Sequence, residues 1–394
     1  MMKNNTAVQT GLENLLNDPP KRIFGKRAGL LCNPASVGKD LRPADRLISA
    51  GLPVELTALF APQHGFYAEK QDNMIESDDA FDPILKIPVF SLYGKTRIPT
   101  KEMFDYIDLL FIDLQDAGTR VYTFIYTMSY CLEAAKKFGK TVILLDRPNP
   151  VSGVVTEGNC LKPEYTSFVG RYPLPMRHGM TIGELALLFN EYFKIGCELE
   201  VIPMTGWDRN MYFRDTGLVW VPPSPNLPTP ESAMVYPGQV LLEGTNISEG
   251  RGTTQPFELF GAPYIEPEKI LAFIGGNNIP GAYLRQVSFE PVANKWMNSG
   301  CHGFQIHITD PELFQPYLTT LKLIQAVCSI HQDQFAWAKP PYEYEFDRLP
   351  IDLITGDSRI RGLIESDEKI GMVAGLWEED LKQFVKISTK FHLY

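Results

Sequence analysis

Short apolar runs, each followed by a helical stretch, dominate the first half of the chain and constrain its fold more than any other feature. The runs are Arg27–Cys32, Glu55–Phe60, Pro88–Leu92, Asp108–Leu114 and Thr141–Asp146, with a later one at Glu198–Pro203. Runs that short and that apolar are what strands covered on both faces of a parallel sheet look like. Between them, Tyr122 to Phe138 reads as a helix stopped by Gly139, with Lys136 and Lys137 in its last turn. Thr181 and Glu184 have capping-box spacing ahead of the apolar face formed by Leu185, Leu188 and Phe189. Strand–helix–strand alternation of this kind predicts an α/β chain built on a doubly wound, Rossmann-like parallel sheet.

The 394 residues exceed one typical core and suit two domains. With 44% hydrophobic and 21% charged residues, both can be packed. A Rossmann-like N-terminal domain, 1–235, and a smaller α+β C-terminal domain, 236–394, that closes a cleft are expected. Near the division lies WVPPSPNLPTPES, Trp220 to Ser232, whose prolines forbid regular structure and mark a connector or a rigid loop over a site. The glycine-rich Glu243 to Pro263 follows. Beyond it, strands are expected at Tyr283–Phe289 and Gly303–Thr309, a helix at Leu313–Ile330 and a last helix from Glu378.

A formal net charge of −10, with no Lys/Arg-rich block, argues against nucleic acid or an anionic membrane as partner. No apolar run approaches the roughly 18 residues that span a bilayer. The N-terminus lacks the apolar core of a signal peptide, so a cytoplasmic protein is expected. The six cysteines are scattered without a C-x-x-C pair and read as buried free thiols. The first strand is followed by Asn33 to Gly38 and not by G-x-G-x-x-G, and there is neither a Walker loop nor a G-x-S-x-G elbow. His302 and His307 differ by an odd number on an expected strand and face opposite ways. No cofactor and no metal are therefore expected.

In an open parallel sheet, ligands bind beyond the carboxyl ends of the strands. There the sequence places Gln63-His64-Gly65, Tyr93-Gly94, Asp113 followed by Gln115-Asp116 and Arg120, then Asp146-Arg147-Pro148-Asn149, then Glu157-Gly158 and Arg177-His178-Gly179. Turn chemistry accounts for any one of these. It does not require His64, Gln115, Arg120, Arg147 and Glu157 at one edge.

LFAPQHGFY, SLYGKTRIPTKEM, LLFIDLQDAGTRVYTFIYT, LLDRPNPVSG, EGNCL, RHGMTIGELALLFN, PSPNLPT and EGTNISEGRGTTQPFELFGAP occur in that order. Together they resemble the exo-β-N-acetylmuramidase (NamZ-like) family, from about Val8 to the C-terminus. The resemblance implies a Rossmann-like domain, a smaller C-terminal domain and an active site between them. It implies an enzyme that removes terminal N-acetylmuramic acid from peptidoglycan fragments. It also implies a departure, because the family's Pro-Glu-His-Gly, with its proposed catalytic glutamate, is here Pro62-Gln63-His64-Gly65. The family's following Gly-rich segment is replaced by AEKQDNMIESDD, in which Glu69, Asp72 and Glu76 are candidate substitutes for that acid.

Glycoside hydrolysis normally uses two carboxyl groups. Glu157 is the favoured catalytic carboxyl, beside Gly158, which lets a ligand approach closely. Asp116 and His64 are the other catalytic candidates, with Asp116 alternatively forming a structural ion pair with Arg120. His64 either orients a carboxylate or contacts the sugar. Arg120 or Arg147 suits the lactyl carboxylate of muramic acid. Gln63 suits the 2-acetamido group, and if that group is the internal nucleophile, one protein acid suffices. Glu76, Asp113, Gln115, Asn149, His178, Asn246, Glu249 and Arg251 complete the expected binding set, with Asp113 alternatively capping a turn. The expected ligand is a small amino sugar or muropeptide. The alternatives are a non-hydrolytic binder that lost its acid, or a glycosidase of different specificity.

Overall fold

The computed structural model describes residues 7–71, 74–366 and 370–394. Seven strands form the main sheet: β1 (Arg27–Cys32), β2 (Glu55–Ala61), β3 (Ala80–Phe81), β4 (Pro88–Ser91), β5 (Leu109–Asp113), β6 (Thr141–Leu145) and β7 (Leu199–Ile202). Their order is β3-β4-β2-β1-β5-β6-β7, parallel except for the β3–β4 edge pair. All six anticipated runs are strands, and β3 is the addition. The apolar runs follow from burial on both faces. Leu110 and Ile112 of β5 enter one core, while Leu109 and Phe111 enter the other.

The helices are α1 (Gly11–Asn17), α2 (Ala44–Gly51), α3 (Lys101–Phe104), α4 (Phe124–Phe138), α5 (Ile182–Leu187), α6 (Pro230–Gln239), α7 (Pro267–Phe273), α8 (Pro316–Ile330), α9 (Pro350–Thr355), α10 (Ser358–Ile364) and α11 (Glu378–Ser388). Leu12 and Leu15 of α1 and Leu47 and Ile48 of α2 cover one face. On the other face α4 is stopped by Gly139 at φ 65°, a conformation that favours glycine. Thr181 and Glu184 make the capping box of α5 in both directions. Among the described residues, no helix is long and apolar enough to cross a membrane.

A second, antiparallel sheet, ordered β8-β10-β9, comprises β8 (Leu259–Ala262), β9 (Ala282–Phe289) and β10 (Cys301–Ile308). β8 lies inside the glycine-rich segment, where Gly261 disguised it as a loop. The proline segment also departs from expectation. Thr229 caps α6, and Pro230 stands at its first position, where a missing N–H is no loss. The core of the α4 face runs without interruption into α6, α8 and β10, through Leu132, Val235, Leu321 and Phe304.

Arg120 joins these parts. It is fully buried, and its guanidinium donates to the carbonyls of Asn159, Leu174, Ile354 and Thr355 at 2.7–2.9 Å. Arg120→Met is expected to leave those carbonyls without this donor and to cost about 3–5 kcal/mol, the range for breaking a buried charged network. Urea unfolding checks this, and a loss under about 1 kcal/mol would contradict the pinning role.

Candidate active site

The chain leaves β2 through Pro62 and turns sharply. His64 and Gly65 take φ values of 79° and 85°. Gly65 suits the corner because its φ lies in the left-handed region, and the Glu69 carboxylate packs close over it. The turn aims Gln63 and His64 into a cavity. Tyr122, Thr123 and Phe124 at the start of α4 form one wall, and Ser224, Asn226 and Leu227 of the proline segment form another. Tyr236, Glu243, Arg251, Phe257, Tyr342 and Glu343 close it from the C-terminal part.

Gln63 is held at both ends of its amide. Its oxygen accepts from the Thr123 hydroxyl at 2.7 Å, and its nitrogen donates to Glu343 Oε1 at 3.1 Å. His64 Nδ1 lies 2.7 Å from the Lys70 carbonyl, which can only accept, so Nδ1 carries the proton.

Glu343 is 5% exposed and also accepts from the Tyr93 hydroxyl at 2.6 Å. Burial raises its carboxyl above the ordinary glutamate range, and the charge of nearby Glu243 adds to the effect. The Tyr93 and Gln63 hydrogen bonds and the charge of Arg97 oppose it. Glu243 accepts from Arg251 and from the Tyr342 hydroxyl, each at 2.7 Å. Arg251 also meets Glu249 at 3.2 Å, and Glu249 meets Lys295 at 2.8 Å. The glycine-rich loop is thus held by a buried chain of alternating charges.

Of the expected site residues, Gln63, His64 and Arg251 line this cavity. Arg147 and Gln115 line a second cavity, beside Lys39 and Phe213. There Arg147 grips Asp113 through Nε at 2.5 Å and Nη2 at 2.9 Å, so Asp113 anchors an ion pair rather than capping a turn. Gln115 donates to the Asp116 and Pro148 carbonyls, and Asn149 to that of Met180. Asp116 does not pair with Arg120. It accepts from the Gly118 N–H, and its partner across the loop is His178 at 3.3 Å. His178 Nδ1 accepts from the Met180 N–H, which places the ring proton on Nε2 toward Asp116.

Glu157 lies on neither of these cavities. It is 7% exposed, bridges the backbone of Arg177 and accepts from the Leu318 N–H at 2.9 Å. The space beside Gly158 is taken by Met176 and Tyr317, not left open for a ligand. Asn246 ties its loop to Gln334, Ala336 and Tyr264. Glu76 meets the Tyr344 hydroxyl at 3.3 Å, Glu69 sits under Gly65, and Asp72 lies outside the described residues. The carboxyl beside Gln63 therefore comes from Glu343, 280 residues away, and not from the segment following the turn. Its sequence context, Pro-Pro-Tyr-Glu-Tyr-Glu, follows no strand end, so reading strand ends could not find it.

Comparison with known proteins follows the same two parts. Sequence models described as "Exo-beta-N-acetylmuramidase NamZ, N-terminal" and "C-terminal" match residues 28–231 and 234–394. A Bacillus subtilis protein described as peptidoglycan beta-N-acetylmuramidase NamZ is 44% identical, over 100% of this chain and 94% of its own length. Among solved structures, a DUF1343 family protein of Bacteroides fragilis superposes with a TM-score of 0.87 at 34% identity, covering 98% of this chain and 99% of its own. A second from the same organism gives 0.78 at 27% identity, covering 99% of each chain.

The burial of Glu157 has a measurable consequence. Desolvation raises its pKa from 4.5 to about 7, so the folded state holds a proton that the unfolded state has released. Stability falls as pH rises from about 4.5 to about 7 and stays low above that. Glu157→Gln keeps an acceptor for the Leu318 N–H but does not titrate. Its stability relative to the native protein is expected to rise across that window, by an amount on the order of 3 kcal/mol. Urea midpoints at pH 4.5, 6 and 8 check this, and a pH-independent difference would refute it.

Proposed function

The chain belongs to the exo-β-N-acetylmuramidase NamZ family, and on that premise we propose that it hydrolyses the β-glycosidic bond of a terminal N-acetylmuramic acid in peptidoglycan fragments. The observation that carries this reading is the cavity at the Gln63–His64 turn. It is built from both parts of the chain and holds two glutamates, Glu243 and Glu343, in different surroundings. Glycosidases need carboxyl groups flanking a sugar, and environments that separate their proton affinities divide the roles between them.

Gln63 supports recognition of the 2-acetamido group, because a primary amide has a second N–H beyond the one on Glu343. With the acetamido oxygen as internal nucleophile, one protein acid is enough. Arg251 is the cavity's guanidinium and takes the part first considered for Arg120 or Arg147, that of facing the lactyl carboxylate. The start of α4, with Tyr122, Thr123 and Phe124 at the wall, favours negative charge in the same place. The ligand is a small amino-sugar glycoside or muropeptide. The division into 1–235 and 236–394 separates the part that carries Gln63 and His64 from the part that closes over them.

The purified protein is expected to release N-acetylmuramic acid from the MurNAc–GlcNAc disaccharide. It should also cleave a chromogenic β-N-acetylmuramide faster than the matching β-N-acetylglucosaminide, which lacks the lactyl group. Gln63→Ala should lower kcat/KM by about a hundredfold or more, the usual effect of removing one well-placed donor. Intact activity in Gln63→Ala would refute the acetamido role. Tight sugar binding without turnover by the native protein would favour the non-hydrolytic alternative.

A further inference from the structure

We infer that Glu343 is the proton donor of this site, delivered by a strained turn from the C-terminal part; the inference rests on the glycosidase reading above. Three observations support it. The first is the inventory of the cavity. Its titratable side chains are His64, Tyr122, Tyr236, Glu243, Arg251, Tyr342 and Glu343. Burial pushes all three tyrosines up, an arginine has no proton to give near neutral pH, and His64 commits its Nδ1 proton to the Lys70 carbonyl. Glu243 is engaged by Arg251 and Tyr342. Glu343 is nearly buried, with a tyrosine and an amide on its oxygens. Burial and the nearby Glu243 charge raise its proton affinity against these two donors, and a carboxylic acid so placed keeps its proton to higher pH than an exposed glutamate.

The second observation is the backbone that carries it. Tyr342 and Glu345 exchange both N–H···O bonds at 2.9 Å, closing a two-residue turn over Glu343 and Tyr344. Both central residues have positive φ, 46° and 66°, as a type I′ turn demands and as Asn-Gly normally satisfies. Two side-chain-bearing residues held there store strain, and such strain persists only where the surroundings impose it.

The surroundings are the third observation. The Tyr344 ring lies 4.2 Å from the Arg97 guanidinium, whose other face meets Phe168 at 4.1 Å. The Tyr344 hydroxyl reaches Glu76. Tyr342 reaches Glu243, and Glu343 between them faces Gln63 and Tyr93. Three consecutive side chains therefore hold the second carboxylate, present the acid and clamp the turn.

In the first step the Glu343 proton passes to the glycosidic oxygen as the C1–O bond breaks. The bond pair goes to that oxygen, and the leaving sugar departs as an alcohol. The acetamido oxygen of the same sugar bonds to C1. In the second step a water oxygen replaces it at C1, and one water proton returns to the Glu343 carboxylate.

The test compares the native protein with Glu343→Gln on two leaving groups. From the MurNAc–GlcNAc disaccharide the leaving GlcNAc would be a basic alkoxide and so needs a proton. From a 2,4-dinitrophenyl β-N-acetylmuramide the dinitrophenolate leaves without one. Glu343→Gln should lose about 10²–10⁴-fold on the disaccharide and less than about tenfold on the dinitrophenyl glycoside. Equal losses on both, or no loss on either, overturns the assignment. Silence of the native protein on both substrates overturns the glycosidase reading and the donor with it.

If Glu343→Gln does not fold, Tyr93→Phe takes its place. The Tyr93 hydroxyl favours the carboxylate, so its loss raises the proton affinity of Glu343. A donor must be protonated, and activity falls as pH rises through its pKa. The upper limb of the kcat/KM profile should therefore move to higher pH in Tyr93→Phe, and an unmoved limb overturns the assignment. The other groups that act on Glu343 are Gln63, Arg97 and Glu243, all retained in this variant.

Discussion

A fully buried guanidinium, bonded to carbonyls from both parts, holds the two parts of this chain in one arrangement. Arg120 leaves the loop after β5, and its two terminal nitrogens are shared among carbonyls of the 157–174 region and of the end of α9. Burying a charge is costly unless every donor that can be satisfied finds an acceptor. Four carbonyls from two distant segments satisfy its two terminal nitrogens only when the parts are docked. The Gln63 cavity has walls from both parts, so its shape depends on this docking.

Inside the cavity, charge is arranged in a graded way. On one side runs an alternating chain, Glu243, Arg251, Glu249 and Lys295, in which each charge has an opposite neighbour. At the other side Glu343 meets neutral donors, a tyrosine and an amide. Two glutamates sharing one cavity thereby have different partners. The strain of the Tyr342–Glu345 turn is offset by the aromatic clamp on Arg97 and the anchoring of Tyr342.

Much of the fold was legible in the sequence because it rests on local pattern. Apolar runs marked β1, β2 and β4 to β7, since strands buried on both faces cannot afford polar residues. Gly139 and the Thr181–Glu184 pair marked helix ends through chemistry that acts over three or four residues. The miss at β8 has a local cause too, because a short strand containing Gly261 in a glycine-rich run carries no readable period. The prolines before α6 misled for the opposite reason, since Pro230 is tolerated where a helix begins.

The site was legible in half. Sequence alone determined that polar groups collect at the carboxyl ends of the parallel strands, and the resemblance implied an acid at the position of Gln63. It also determined that no distant motif for nucleotides is present. Only the tertiary structure decided which polar groups share a cavity. It moved Arg147 and Asp113 to an ion pair at another cavity, enclosed Glu157 away from both, turned Asp116 toward His178, and spent Arg120 on carbonyls. It also brought Glu343 to within 3.1 Å of Gln63 from 280 residues away. The physical reason is range. Periodicity and capping act within a few residues, whereas the proximity of two side chains across 280 residues is set by packing, which leaves no mark on the neighbours of either one.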